Sequence, residues 1–327
     1  MVNREAPVNN TGGAPSLVTV LMSVREIPVP MLQQAIESVL AQTLHHFEFL
    51  IYNDGGQDQA VLDALAVYAK RDTRIRVRHQ PARGLTKTLN IGLSEARGQY
   101  IARHDADDWS EPDRLERQAA FLAQRSDIVL CGSNARMRQE NGAPLWITRL
   151  PLEPAAINGA LWDGNTFVHG STMYRADAAR GVGGYREDFA CSQDYDFFWR
   201  LCDFGGGANL AAPLYNYRFR KDAVSARRAE EQASVHNVTQ TLAWARRSGA
   251  FVDVGEALAG ERKLFTLSLR ARLKQADHRM LAGDYSGAVR AYASLLSSHP
   301  AQPLAWGKLI RWFVFLTAPP VRALCFR

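Results

Sequence analysis

Short apolar runs and amphipathic stretches alternate along the first 130 or so residues, and this alternation restricts the fold more than any other feature of the chain. Leu17–Leu21 (LVTVL), Phe47–Tyr52 (FEFLIY), Ile75–Arg78, Gln99–Arg103 (QYIAR) and Ile128–Cys131 are short and rich in β-branched or aromatic residues, as buried strands are. Between them, Met31–Leu40, Val61–Ala69, Thr86–Ala96 and Pro112–Gln124 carry helical spacing. In the first, Met31, Leu32, Ala35, Ile36, Val39 and Leu40 line one face. Gly98 stops the third, and Pro112 suits the first turn of the fourth. Repeated strand–helix–strand units predict an α/β fold, an open, mostly parallel sheet flanked by helices. Ligands of such sheets bind at the carboxyl ends of the strands.

Two acidic clusters fall at such ends. The QYIAR strand runs straight into His104-Asp105-Ala106-Asp107-Asp108. Three carboxylates this close repel one another unless positive charge lies between them. Magnesium-like cations are usually held by one or two carboxylates plus substrate phosphates. An isolated DxDD is more often a solvated turn or a helix cap, but its place at a strand end reverses that preference. The second cluster is Asn53-Asp54-Gly55-Gly56, after FEFLIY. Asp54 suits a base N–H or a plain Asx turn, and the glycines would let a ligand approach the backbone. Asp194, in Ser192-Gln193-Asp194-Tyr195-Asp196 ahead of Phe197-Phe198-Trp199, reads either as a helix cap or as a general base.

The remaining chain divides by pattern. Residues 1–16 are polar, rich in Asn, Gly and Pro, and read as a flexible lead-in without the apolar core of a secretory signal. Residues 17–225 form the main domain. From 226 to 327 the chain looks helical, and Leu281–Pro300 resembles one tetratricopeptide-type unit, expected to pack on the main domain as a helical hairpin. The tail Leu309–Leu324 is too short, and too interrupted by Pro319-Pro320, to span a membrane. Its aromatics Trp306, Trp312, Phe313, Phe315 and Phe326 beside Lys308, Arg311, Arg322 and Arg327 fit a membrane-surface anchor and ordinary core equally. The four cysteines are scattered, with no CxxC pair, which argues against a zinc site or a disulfide framework and for a reducing, cytoplasmic setting. A net charge of +6 suits an anionic substrate or membrane face. No groove-reading motif supports a nucleic acid partner.

Taken in order, VTVLMSVRE…LQQAIESVLAQT, FEFLIYNDGGQD, GLTKTLNIGLSEARGQYIARHDADD, EPDRLERQ, VHGSTMYR, GVGGYREDF, SQDYDFFWRL and YRFRKDAVS resemble the family 2 inverting glycosyltransferases, with the nucleotide-sugar-binding fold called GT-A. They cover Val18 to Ser225, roughly two thirds of the chain. The resemblance implies that Asp54 contacts the donor's nucleobase. It makes Asp105 and Asp107 the DxD pair, with Asp107 on a divalent metal (Mn²⁺ or Mg²⁺) and Asp105 toward the ribose or a metal-bound water. Asp194 becomes the catalytic base, Lys87 or Arg83 faces the donor phosphates, and Arg103 is a further candidate.

The chain also departs from the family pattern. Arg25-Glu26 follows the first strand, Gly56 stands where serine is usual, and Gln193 precedes the base where glutamate is common. Arg220 takes the place of a histidine and could neutralise the diphosphate directly. The implied partners are a nucleotide-diphospho-sugar and a glycan or lipid-linked acceptor, on the cytoplasmic face of a membrane during cell-surface glycan assembly. Two other readings are a sugar-1-phosphate nucleotidyltransferase, which would want a glycine-rich loop absent from Met22–Glu26, and a non-catalytic scaffold with a degenerate transferase domain.

Overall fold

The structure, a computed structural model, describes residues 17–220, 229–264 and 276–298, together with residue 306. The lead-in and nearly all of the aromatic tail lie outside the described residues. The strand–helix repeat opens the fold: β1 (Val18–Val24), α1 (Val29–Leu40), β2 (Phe47–Asp54), α2 (Gln59–Arg71), β3 (Ile75–Gln80), α3 (Leu85–Glu95) and β4 (Tyr100–Asp105). β1 lies parallel to both β2 and β4, and β2 parallel to β3. The strand order β3-β2-β1-β4 therefore changes direction at β1, the point where such sheets open a crevice.

Beyond β4 the sheet is mixed. β5 (Trp109–Ser110), β6 (Leu130–Arg138), β7 (Pro144–Ile147), β8 (Met173–Arg175) and β9 (Gly207–Arg218) extend the order to β3-β2-β1-β4-β8-β6-β9-β5, with β7 beside β6. β8 is antiparallel to β4 and to β6, whereas β6 and β9 run parallel. α4 (Arg114–Gln124), α5 (Pro154–Ala160), α6 (Ala176–Gly181) and α7 (Gln193–Gly205) fill the connections.

Apolar cores cover both faces of β1, as a parallel strand requires. On one side Val18, Val20, Met22 and Val24 meet Leu32 and Ile36 of α1, Leu65 of α2 and Leu122 of α4. On the other, Leu21 meets Leu89 and Leu93 of α3, with Phe197, Phe198 and Trp199 of α7 in the same cluster. The polar breaks in these strands are paired. Thr19 Oγ1 donates to Glu48 Oε1 (2.7 Å), and Glu48 is bridged by Arg76 (2.8 Å).

Further helices pack around this body: α8 (Ala229–Ser248), α9 (Val254–Leu264), a helical segment over 276–281 and α10 (Tyr285–Ser298). α8 buries Val235, Val238 and Leu242 against Phe189 and Cys191. The 276–298 hairpin buries Met280, Leu281, Tyr292 and Leu295 with Phe219, against Met137, Leu145 and Trp146 of the β6–β7 ribbon. Cys131, Cys191 and Cys202 are buried. Among the described residues no helix is long and apolar enough to cross a membrane.

Candidate active site

The strand register brings the acidic clusters level. Val24 pairs with Asn53 and Ser23 with Asp105, so Asp54 and Asp105 flank the end of β1. At one strand spacing on each side, their backbones stand on the order of 10 Å apart. A cavity of about 560 Å³ lined by Leu17, His46, Arg97 and Arg180 opens at the amino ends of β1 and β4, the opposite edge from the one where such sheets bind ligands.

The segment after β4 concentrates charge. Arg103 is fully buried and donates to Asp105 Oδ1 (2.6 Å) and to the Leu21 carbonyl (3.2 Å). Burial pushes the Asp105 carboxyl up, but Arg103, then His169 and His104, hold it below its ordinary range. Asp107 meets Arg220 Nη1 through Oδ2 (3.6 Å). Burial and then Asp105 push its carboxyl up to about 6, against the pull of Arg220 and Arg218. Asp108 accepts the Arg218 backbone N–H on Oδ1 (2.7 Å). Its Oδ2 is buried without a partner among the described residues, and burial, Asp107 and Asp105 raise its carboxyl well above the usual range. Burial and mutual repulsion thus raise two of the three carboxyls despite the arginines beside them.

Several residues that hold this segment carry no catalytic signature in the sequence. The Asp105 backbone N–H donates to Tyr215 Oη of β9 (3.0 Å). Arg114 of α4 is fully buried. It donates to the carbonyls of Arg103 (2.7 Å) and Thr172 (3.1 Å), and its guanidinium lies over the Tyr215 ring (5.1 Å). Burial and Arg114 lower His104 to about 3, so it is neutral and packs edge-on against Tyr215. Arg114 stands within the fragment EPDRLERQ, and its spacing puts it on a helix face with Leu115, Gln118, Ala119 and Leu122.

Asp54 is positioned differently. Its carboxylate accepts the backbone N–H groups of Arg83 (2.8 Å) and Gly84 (2.9 Å) and the Gln80 amide (3.1 Å), tying the loop before α3 to the end of β2. Burial raises its carboxyl, but these hydrogen bonds outweigh burial and hold it low. Gly55, at φ +77°, and Gly56 have no room for a side chain: an added Cβ would meet Ala82 N at 2.6 Å or the Arg25 carbonyl at 2.4 Å. The close approach these glycines permit is therefore of loop to loop. The Arg83 and Lys87 side chains are exposed beside this loop and on the first turn of α3.

Asp194 lies on the first turn of α7. The N-cap residue is Ser192, whose φ of 52° is the sole positive value at a non-glycine among the described residues, and it makes no side-chain cap hydrogen bond. Asp194 is partly exposed and accepts the Asn165 amide on Oδ2 (2.8 Å). Asp196, two residues on, is fully buried between Arg186 (2.6 Å), Arg200 (2.8 Å) and Arg246 (4.0 Å). Arg220 is set against Asp107 from the other side, and its carbonyl oxygen bonds His278 Nε2 (2.7 Å) of the C-terminal hairpin.

With this geometry in place, comparison with known proteins is decisive. The sequence profile of Glycosyl transferase family 2 matches residues 20–183, half of the chain. This chain belongs to that family. The glycosyltransferase is 34% identical over 200 residues to EpsE of Bacillus subtilis, a glycosyltransferase by name, covering 60% of this chain and 71% of that one. It is 31% identical over 205 residues to the O-antigen biosynthesis glycosyltransferase WbnJ of Escherichia coli, covering 62% and 79%. In fold it resembles the Pyrobaculum calidifontis mannosyltransferase PcManGT, solved with GDP-Man and Mn²⁺, at a TM-score of 0.54 and 16% identity over 94% of this chain and 84% of that one. The GT-A-like α/β fold and the enzyme class are thereby fixed, and the nucleotidyltransferase and scaffold readings fall away. The profile match takes in Asp54, Lys87, Arg103, Asp105 and Asp107, and ends before Asp194 and Arg220.

Proposed function

We propose that this glycosyltransferase moves a sugar from a nucleotide-diphospho-sugar to an acceptor hydroxyl in one inverting displacement, within the assembly of a cell-surface polysaccharide. The supporting observation is the juxtaposition of two unlike acidic groups. The crowded Asp105–Asp108 segment and the accessible Asp194 are joined by the single stretch 165–171. Asn165 bonds Asp194, while Gly170 lies against Asp105. WbnJ, named for O-antigen biosynthesis, supports the polysaccharide context, and a glycan or lipid-linked acceptor follows from it.

Among the described residues no three His, Cys, Asp or Glu side chains converge to cage a metal. Two carboxylates completed by substrate oxygens are nevertheless the usual set for a magnesium-type ion. The raised Asp107 carboxyl, pushed up by burial and then by Asp105, and the Asp108 Oδ2 without a partner among the described residues support a cation at this segment. Asp107, with Asp105, would hold Mn²⁺ or Mg²⁺, which supplies Lewis-acid stabilisation of charge on the departing diphosphate. Asp54 holds the loop that carries Arg83 and faces the nucleobase side. Arg220, beside Asp107, adds a fixed cation for the diphosphate, and exposed Arg83 and Lys87 are further candidates to face the donor phosphates. Asp194 has one oxygen on Asn165. The other has no partner among the described residues and takes the proton of the attacking hydroxyl.

The test is slow hydrolysis of UDP- and GDP-sugars by the purified protein with Mn²⁺ or Mg²⁺. Release of nucleoside diphosphate that needs both metal and Asp194 is expected. Turnover that is equal with a chelator, or unchanged in Asp194→Asn, would sink the assignment.

A further inference from the structure

His169 opens a short 3₁₀ turn, His169–Ser171, in the stretch that links the two acidic groups. Four residues earlier Asn165 holds Asp194 (2.8 Å). One residue later Gly170 is pressed so closely on the other group that an added Cβ would fall 2.1 Å from Tyr215 Oη and 2.7 Å from Asp105 Oδ2. His169 is therefore flanked in sequence by a residue holding the base and a residue touching the diphosphate end. In an inverting displacement the base and the leaving group stand on opposite faces of the anomeric carbon, so what lies between them is the sugar being transferred.

The ring is prepared for one contact. It packs edge-on against Tyr185 (5.9 Å) and Phe198 (5.8 Å), which fix its plane. Nε2 meets Tyr185 Oη at 3.1 Å, and Tyr185 Oη meets Tyr174 Oη at the longer distance of 3.5 Å. Nε2 is thus engaged with the phenol, whichever of the two donates, and Nδ1 is left as the ring's second polar atom, a donor or an acceptor according to the tautomer. Nδ1 has no hydrogen-bond partner among the described residues, although the side chain is partly exposed. Burial and Arg103 keep the imidazole neutral, while Asp194 and Asp105 both lie near enough to pull the other way.

We infer that His169 reads the transferred sugar, its Nδ1 sharing a hydrogen bond with a sugar hydroxyl of the nucleotide-sugar donor. His169 is then a specificity-determining residue, fixed by Tyr185 behind it. The inference rests on the glycosyl-transfer reading above, and its test separates the two.

Calorimetry with Mn²⁺ compares UDP and GDP with UDP-glucose, UDP-galactose, UDP-N-acetylglucosamine and GDP-mannose. Wild type is expected to bind one sugar nucleotide more tightly than its bare diphosphate. His169→Ala should bind the bare diphosphate as wild type does and lose about tenfold on the sugar nucleotide, the size of one net hydrogen bond. His169→Asn places an amide, able to donate or accept, near the Nδ1 position and should recover most of that loss. His169→Gln, whose amide reaches toward Nε2, should not. The Asn and Gln pair keeps the test open if the alanine variant folds poorly. Equal loss on diphosphate and sugar nucleotide, no loss on either, rescue by Gln equal to that by Asn, or a wild type that binds no sugar nucleotide more tightly than its diphosphate would each overturn the assignment of His169. A wild type that binds neither diphosphates nor sugar nucleotides overturns the transfer reading, and this inference with it.

Discussion

The end of β4 and the start of α7 both hold aspartates, yet they treat negative charge in opposite ways. After β4, Asp105, Asp107 and Asp108 are crowded together beside Arg103, Arg218 and Arg220, and burial, then mutual repulsion, pushes two of the three carboxyls up. On α7, buried Asp196 is enclosed by three arginines, while Asp194 keeps one neutral amide and an open side. On the proposed reading the crowded carboxylates are those that would take a cation and accessible Asp194 is the one that would take a proton, whereas Asp196, which joins elements, is neutralised in place. Backbone strain falls on the same side as the base: Ser192, in the left-handed region, immediately precedes the turn that carries Asp194.

The sharpest way to break this contrast is Asp194→Asn. The amide keeps the shape and removes the base, so transfer should fall by roughly 10²- to 10⁴-fold. Binding of nucleoside diphosphate and the melting temperature should stay near wild type. Intact turnover would reduce Asp194 to a helix-start residue. Asp196→Asn should show the converse. Leaving Arg200 and Arg186 without their buried counter-charge should cost about 3–5 kcal/mol of stability, read by urea unfolding. A wild-type unfolding midpoint would mean that the arginine cluster does not join α7 to α8 and the 182–189 loop.

Asp107→Asn should act on stability in the other direction. In a chelator, a carboxyl whose folded pKa is raised destabilises the fold wherever it must ionise. That cost is full above about pH 6 and fades as pH falls toward the ordinary carboxylate value near 4, where folded and unfolded states are both protonated. Asp107→Asn should therefore raise the metal-free melting temperature at pH 8 by a few degrees, with the gain shrinking by pH 5. The same variant should lose the Mn²⁺-dependent increment in diphosphate binding. A lowered melting temperature at pH 8 would show that Asp107 is already satisfied by Arg220.

How far the sequence discloses this arrangement differs between the two regions. β1 to β4 and their helices are legible because each apolar run ends abruptly at a polar cluster, which marks the strand end even where runs buried on both faces carry no alternation to fix the register. That is why the acidic ends could be placed on one edge. β7, β8 and β9 give no such signal. They pair antiparallel or after long detours, and the three residues of β8 are too few for any periodicity. The residues that hold the acidic segment are invisible for the same reason. Tyr215 reaches Asp105 from a strand 110 positions away, and Arg114 reads as an ordinary surface arginine until the helix is seen to turn it inward. His169 stood inside a recognisable fragment, but nothing local marks it. The glycines after Asp54 announced a close approach without saying of what, and the partner proved to be the neighbouring loops.

The mildest expected effect bears on how lightly the base is held. Asn165→Ala removes the one side-chain partner of Asp194 among the described residues, a contact made at an exposed edge. Water can take over a hydrogen bond to an exposed carboxylate, so the net loss is that of orientation, worth about three- to tenfold in kcat. The donor KM should not move, because Asn165 touches neither the DxD segment nor the Asp54 loop in any recorded hydrogen bond. Asn165 Oδ1 also accepts the Phe167 N–H (3.1 Å), so part of the effect will come from loosening the turn that leads to His169. The double variant separates these routes. If Asn165 acts through Asp194, adding Asn165→Ala to Asp194→Asn should cost almost nothing further, since interacting residues are not additive. If the two losses multiply, Asn165 acts by shaping the 165–171 stretch instead. A single Asn165→Ala as damaging as Asp194→Asn would mean that the base is rigidly clamped, and that the contrast between a lightly held base and a fully enclosed Asp196 is false.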